Sequence, residues 1–165
     1  MQTRRFNKLF YPDDESGEIL VKWWKELDDN RGDRAQLRRA RNPAEVVFVP
    51  AYHRLYQRLC LSNKESLACV AGLCAHVKIN NSEKVIAEQM ADGSNDKAKV
   101  SGLRFRRLLR IDERDELYNT MRRMIQMLGG SVNIYSLARA VYWWNQKTKK
   151  DMAYEYYEHA PAKEQ

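Results

Sequence analysis

The chain has 165 residues, of which 44% are hydrophobic and 31% charged, with only 7 glycines and 4 prolines. This balance favours helices and excludes a turn-rich all-β fold, and the length suits one domain or two small ones. The formal net charge of +7 indicates a polyanionic partner, without naming one.

Helices are predicted from the start of the chain. Ser16 is a suitable N-cap for a helix over 16–29, and Asp33 for a second helix through Ala40. Helical spacing predicts that the inner face of the first helix consists of Leu20, Trp23, Trp24 and Leu27.

The middle of the chain continues this pattern. Asn42 and Pro43 open a short helical turn, and Pro50 opens a helix to about Leu61. Residues 62–78 are apolar nearly all round, which predicts the central buried helix. A helix over 82–91 then ends at the polar residues 92–96.

That polar break is predicted to separate two domains, 1–93 and 97–165. Beyond it we expect a helix over 100–110, a helix capped by Asp112 and ended by Gly129 and Gly130, and a last long helix that begins at Asn133. The expected fold is all-α, with two small bundles of about four to five helices each.

The positive charge is concentrated in the segments 31–58 and 97–150. Arginine predominates there, and its guanidinium group binds phosphate in bidentate geometry. An ordinary solvated helix surface is the alternative interpretation. The candidate nucleic-acid-binding residues are Arg34, Arg38, Arg39, Arg41, Arg104, Arg106, Arg107, Arg110, Arg122, Arg123, Arg139 and Lys147, with Lys149 and Lys150 beside the last of them.

Trp143 lies on the basic arc of the predicted last helix. It could offer a stacking platform to an unpaired base, or it could pack against a neighbouring helix or subunit. Tyr135 is similarly ambiguous.

Motifs that support catalysis or metal binding are missing from the sequence. His53, His76 and His159 are far apart, and no phosphate-binding loop, dinucleotide motif or nucleophile elbow occurs. Cys69 and Cys74 fit core packing better than a zinc site, and the odd number of three cysteines fits reduced thiols. We therefore expect a cytoplasmic protein without enzymatic activity, metal or cofactor, and no segment predicted to cross a membrane.

Several segments together resemble the CasB family, the small subunit of Cascade, which is the RNA-guided surveillance complex of type I-E CRISPR systems. The likeness runs from about Gly17 to Tyr157. The segments that carry it are WWKEL at 23–27, RAQLRRA at 34–40, PAY at 50–52, SGLRFRRLL at 101–109 and AVYWW at 140–144.

The resemblance implies a non-catalytic, all-helical protein of two small bundles. It implies a head-to-tail pair of copies that lies along the guide-bearing filament, among guide RNA, target DNA and other Cascade subunits. A basic face would help to hold target DNA and the displaced strand in the R-loop. The contact candidates carried over by that analogy are Arg38, Arg39, Arg104, Arg106, Arg107, Arg110, Arg122, Arg123 and Lys147.

Two other functions stay open at the level of sequence. Residues 122–144 could form a helix-turn-helix of a DNA-binding regulator, although the connection is long and the second helix has few side chains that read base edges. The chain could also be a structural scaffold without nucleic-acid contact, in which case reversing the charges of Arg106 and Arg107 would leave binding and assembly intact.

Overall fold

Helices dominate the computed structural model, which describes residues 2–165. The predicted all-α fold is confirmed. The helices are α1 (Glu15–Asp29), α2 (Arg31–Arg39), α3 (Pro43–Val46), α4 (Pro50–Leu59), α5 (Lys64–Cys74), α6 (Ile86–Ala91), α7 (Gly102–Leu109), α8 (Arg114–Met127), α9 (Ile134–Tyr142) and α10 (Gln146–His159), followed by a 3-10 turn, Ala162–Glu164.

Four two-residue strands, which the sequence did not predict, link the helices. They are β1 (Ile79–Asn80), β2 (Gly93–Ser94), β3 (Lys97–Ala98) and β4 (Ser131–Val132). β1 pairs with β4 in parallel, and β2 pairs with β3 in a hairpin over the polar segment 92–96. The first pair ties the end of the α5 region to the start of α9.

The centre of the molecule is α5, as predicted, although the helix is shorter at both ends than the predicted range 62–78. Every residue from Ser66 to Cys74 is buried, and α5 packs against α3, α4, α8 and α9. Buried apolar side chains from α1 to α10 form one continuous cluster. The division into domains 1–93 and 97–165 stays a prediction.

Several helix starts differ from the predictions because a neighbouring residue provides the cap. Asp14, not Ser16, caps α1 by accepting the backbone N–H of Ser16. The Ser16 hydroxyl instead accepts the N–H of Phe10 at 2.8 Å. α2 begins at Arg31, so Asp33 lies inside its first turn, where it forms an ion pair with Arg54.

The middle of the chain matches the predicted starts more closely. The Asn42 side chain accepts the N–H of Glu45 at the start of α3, and α4 begins at Pro50. α6 begins only at Ile86, four residues later than predicted. Residues 82–85 are not helical.

The largest correction concerns the C-terminal part, where the predicted single long helix is two helices. α9 ends at Tyr142, and α10 begins at Gln146 because the Asn145 side chain accepts the N–H of Thr148 as an N-cap. Asp112 is also not a cap, since α8 begins at Arg114. Gly129 and Gly130 end α8 as predicted, with φ of 68° and 77°.

Candidate nucleic-acid interface

Most of the predicted contact residues have charges that no acidic side chain neutralises. Nine of the twelve form no ion pair within residues 2–165, and the eight of these other than Arg139 are called the free arginines below. They occupy the end of α2, α7 with its C-cap, and the middle of α8. The free arginines are Arg38, Arg39, Arg104, Arg106, Arg107, Arg110, Arg122 and Arg123.

Two free arginines on different helices act electrostatically on the same histidine. Burial, together with the positive charges of Arg38 on α2 and Arg122 on α8, lowers the pKa of His76 to about 4. The imidazole is therefore neutral at pH 7. Its Nε2 atom is buried and has no hydrogen-bond partner in the described chain.

Tyr118 fixes the helix that carries Arg122. Its hydroxyl donates a hydrogen bond to the carbonyl oxygen of Ala40 across 3.2 Å, just after the end of α2. The ring lies so close to α5 that a Cβ on Gly72 would lie 2.5 Å from the hydroxyl oxygen. Any larger residue at position 72 would push α8 away from α5, so the glycine is required by close approach.

A second contact brings α7 to the other end of α8. The Arg104 guanidinium lies 3.8 Å from the sulfur of Met127, which is one helical turn beyond Arg123. α7 itself is held by Phe105, whose ring stacks on Tyr156 of α10 with centroids 4.0 Å apart. α8 therefore contacts the end of α2 through Tyr118 and α7 through Met127.

The C-terminal turn holds the start of α7. The Glu164 carboxylate accepts the backbone N–H groups of Ala98 at 3.1 Å and Gly102 at 3.3 Å. The Arg106 side chain donates to the Glu164 carbonyl oxygen at 3.3 Å. Glu164 thus anchors the start of α7, which carries Arg104, Arg106 and Arg107 and ends at the C-cap Arg110.

Three predicted contact residues form ion pairs with acidic side chains of the same chain. Arg34 pairs with Asp28 at 2.8 Å, Arg41 with Glu45 at 3.4 Å, and Lys147 with Asp151 at 2.8 Å. Lys149, which the sequence placed beside Lys147, is buried and pairs with Asp112 at 2.7 Å. Nucleic-acid contact by Arg34, Arg41 and Lys147 stays a prediction.

Arg139 contacts the N-terminal segment of the chain. Its side chain donates to the Phe10 carbonyl oxygen at 3.3 Å, and its guanidinium carbon lies 4.0 Å from the centre of the Tyr11 ring. Burial lowers the pKa of Arg139. This geometry tethers the N-terminal segment to α9, and a contact with nucleic acid by this residue stays a prediction.

Trp143 and Arg139 line one open groove of about 1230 Å³ between the N-terminal segment and α10. Trp143 is 52% exposed and meets the Tyr142 ring edge to face. Both signs of charge line the groove, since Asp151, Glu155 and Glu158 face it with Lys147. The tryptophan is thus neither buried nor placed among the free arginines.

Side chains that could hold a metal ion do not converge in the described chain. Within residues 2–165 no three His, Cys, Asp or Glu side chains are placed to hold a metal ion. Burial raises the pKa of Cys69 and Cys74 to about 12, which keeps both thiols protonated. No helix in the same range is long and apolar enough to cross a membrane.

Sequence reasoning missed His76, which it considered only as a metal ligand. Its position directly after the most apolar segment indicated that it would lie near the core. Its neighbours, however, come from α2 and α8, which are 38 residues before it and 46 residues after it in the chain. Only the tertiary fold brings these side chains together.

Comparison with known proteins identifies the family of this fold. The profile of CRISPR-associated protein Cse2 matches residues 33–157. No curated protein matches significantly. A chain of the crystal structure of E. coli Cascade bound to a PAM-containing dsDNA target is similar in fold, with a TM-score of 0.70 at 20% identity, over 86% of this chain and 94% of that chain. Because the profile spans most of the sequence, the chain belongs to the CRISPR-associated protein Cse2 family, also called CasB.

Proposed function

We propose that this chain is the non-catalytic small subunit of a Cascade complex and that it binds nucleic-acid strands by their phosphates, without reading base sequence. The observation that carries the proposal is the set of free arginines on α2, α7 and α8 in a chain of the Cse2 family. The partners would be guide RNA, target DNA, other Cascade subunits and a second copy of this chain.

The physical role of such a surface follows from the energetics of R-loop formation. The RNA–DNA heteroduplex is about as stable as the DNA duplex that it replaces, so contacts to the strands can tip the balance. Each arginine that neutralises a phosphate releases a counterion, and the affinity therefore falls steeply with salt. A surface that reads only phosphates suits a complex in which guide pairing provides the specificity.

The direct test is fluorescence anisotropy with unrelated single-stranded DNA, single-stranded RNA and duplex over a salt series. Binding that is indifferent to sequence and weakens with salt supports the proposal, whereas preference for one duplex sequence contradicts it. The variant Arg107→Ala/Arg110→Ala should bind more weakly than the control Lys25→Ala, because Lys25 is an exposed residue of α1 outside the arginine set.

The same variants should be tested inside a reconstituted complex. We expect Arg107→Ala/Arg110→Ala to assemble normally and to form R-loops less completely than the Lys25→Ala control. Normal R-loop formation together with normal assembly would favour a scaffold without nucleic-acid contact. Reversing the charges of Arg106 and Arg107 is the stronger form of this test.

The alternative of a helix-turn-helix regulator has less support. The helix that would enter the major groove is α9, in which seven of nine residues are buried. A recognition helix must expose its side chains to base edges. The burial of α9 argues against that role.

A further inference from the structure

The open groove between the N-terminal segment and α10 combines aromatic and acidic side chains. It has a volume of about 1230 Å³, and Trp143, Tyr154 and Glu155 are among the residues that line it. Trp143 is 52% exposed and Tyr154 is 72% exposed. Pockets for drug-sized ligands measure about 300–1,000 Å³, so this groove has room for more than one side chain of a binding partner.

Contacts within the chain hold both walls of the groove. The Arg139 side chain donates to the carbonyl oxygen of Phe10 at 3.3 Å, and its guanidinium carbon lies 4.0 Å from the centre of the Tyr11 ring. These contacts fasten the N-terminal wall to α9. On the other wall, the ion pair of Lys147 with Asp151 at 2.8 Å spans the first turns of α10. The groove is therefore formed in the free chain.

The charges that line the groove do not cancel. The two lysines of the lining, Lys8 and Lys147, each form an ion pair with an aspartate. The carboxylates of Glu155 and Glu158 form no ion pair within residues 2–165. Against them stands the single guanidinium of Arg139, which is engaged with the N-terminal wall. The unpaired charges of the lining thus leave one negative charge in excess.

Glu155 has more to gain from a cation than Glu158. Glu158 is exposed, whereas Glu155 is half-buried, and no hydrogen bond of its carboxylate is found within residues 2–165. Burial and the negative charges of Asp151, Glu88 and Glu158 raise the pKa of Glu155, while Arg139 opposes the rise. A partly desolvated carboxylate is stabilised by a cation that also donates hydrogen bonds.

We propose that this groove is a docking site for a segment of a neighbouring protein chain, which places an arginine side chain against Trp143 and Glu155. Resting on the proposed function, the neighbour is a protein subunit of the assembled complex. A guanidinium group stacks on an indole ring and also donates hydrogen bonds to a carboxylate. Tryptophan, tyrosine and arginine are the side chains that most often dominate binding between proteins.

The acidic lining makes the groove a poor site for nucleic acid. A strand whose base stacks on Trp143 brings phosphates into the same groove, where the unpaired carboxylates of Glu155 and Glu158 repel them. An arginine of a protein segment is attracted by the same two carboxylates. Of the two roles that the sequence left open for Trp143, packing against a subunit is the one that these charges favour.

Incorporation into a reconstituted complex tests the docking site. Glu155→Gln keeps the size of the side chain and removes its charge, and Glu116→Gln is the matched control, an exposed carboxylate of α8. We expect the concentration of subunit for half-maximal incorporation to rise at least about tenfold for Glu155→Gln and for Trp143→Ala. Trp143→Phe keeps an aromatic face and should lose less. Equal incorporation of the Glu155 and Glu116 variants overturns the site.

A photo-crosslinker identifies the class of molecule in the groove. Tyr154 is replaced by p-benzoylphenylalanine, because Tyr154 lines the groove and is exposed, and Trp143 and Glu155 stay intact. We expect illumination of the assembled complex to link this position to an arginine-containing peptide of a protein subunit, including a second copy of this chain. Crosslinking to guide RNA or target DNA, or to no other chain, overturns the site.

The two proposals fail in different ways, because strand binding is measured on the isolated chain. Trp143→Ala and Glu155→Gln should bind strands as the unchanged chain does. A roughly tenfold loss of single-strand binding by Trp143→Ala would indicate base stacking and overturn the protein docking site. If no strand binds but Glu155→Gln incorporates poorly, the proposed function fails and the docking site stands. If strands bind and every variant incorporates normally, only the docking site is overturned.

Discussion

The hydroxyl of Tyr118 donates a hydrogen bond to the carbonyl oxygen of Ala40 across 3.2 Å. This bond joins α8 to the end of α2, and these helices carry Arg122 and Arg38. Both atoms belong to buried residues. A single interior hydrogen bond therefore sets the spacing of two arginines at the surface.

Removing that hydroxyl should weaken both the fold and the interface. Tyr118→Phe leaves the Ala40 carbonyl oxygen without this donor, and we expect the free energy of unfolding to fall by about 1–3 kcal/mol. Urea denaturation measures the change. Tyr135→Phe is the control, because no hydrogen bond of the Tyr135 hydroxyl is found within residues 2–165. Equal stability of the two variants would show that the bond contributes little.

Free and paired arginines should differ in their effect on salt dependence. Arg123→Ala removes an unpaired exposed charge, and the slope of log affinity against log salt should fall by about one. The slope should barely change for Arg34→Ala, since the Arg34 side chain is only 20% exposed and pairs with Asp28. Anisotropy titrations at several salt concentrations measure both slopes, and identical slopes for the two variants would refute the distinction.

His76 should make the protein less stable in acid. Its pKa is about 4 in the folded chain against an ordinary value of 6.5, because burial and two arginines disfavour the charged form. Between these values the unfolded chain binds more protons, so the free energy of unfolding declines as the pH falls from about 6.5 to 4. The loss is at most about 3 kcal/mol.

The variant His76→Gln isolates this contribution. Denaturation of both proteins at several pH values should show a smaller decline for the variant over the same window. Parallel curves would mean that His76 titrates normally in the folded state.

Glu164 should stabilise the first turn of α7. Glu164→Ala removes the acceptor of the Ala98 and Gly102 N–H groups, and we expect a loss of about 2 kcal/mol. Hydrogen exchange at these two amides should accelerate. Lys163→Ala, on the same exposed turn, should leave exchange unchanged. Slow exchange in the Glu164 variant would indicate that another group holds the helix start.

Local features of the fold could be predicted from the sequence because short-range patterns determine them. The stripe from Leu20 to Leu27 has helical spacing, and these side chains are buried. Asn42 caps α3, and Gly129 and Gly130 adopt the positive φ that ends α8. Each of these predictions needs only a few neighbouring residues.

The break between α9 and α10 was predicted wrongly because apolar periodicity outweighed a cap. Trp144 follows Val141 at the helical spacing of the inner face of α9, so the apolar pattern crosses the break without interruption. Asn145 was the signal against continuity, as a strong N-cap residue. Its Oδ1 atom accepts the N–H of Thr148 at 3.0 Å.

For the candidate interface, the sequence predicted only which segments are rich in arginine. Which of these side chains form ion pairs depends on their neighbours in the folded chain. Lys149 looked like a surface cation and is buried against Asp112. His76 was considered only as a metal ligand, and its pKa is lowered by burial and by the charges of Arg38 and Arg122. The environments of Lys149 and His76 are both set by residues that are distant in the sequence.

The packing of α6 against α10 has a consequence for folding during synthesis on the ribosome. α1 to α5 contact one another and can begin to assemble as soon as they leave the exit tunnel. α6 can pack against α10 only after α10 has been synthesised. Until then Ile86 and Met90, which are buried in the folded protein, are more exposed to solvent. The nascent chain therefore passes through a stage with exposed apolar surface on α6 that α10 later covers.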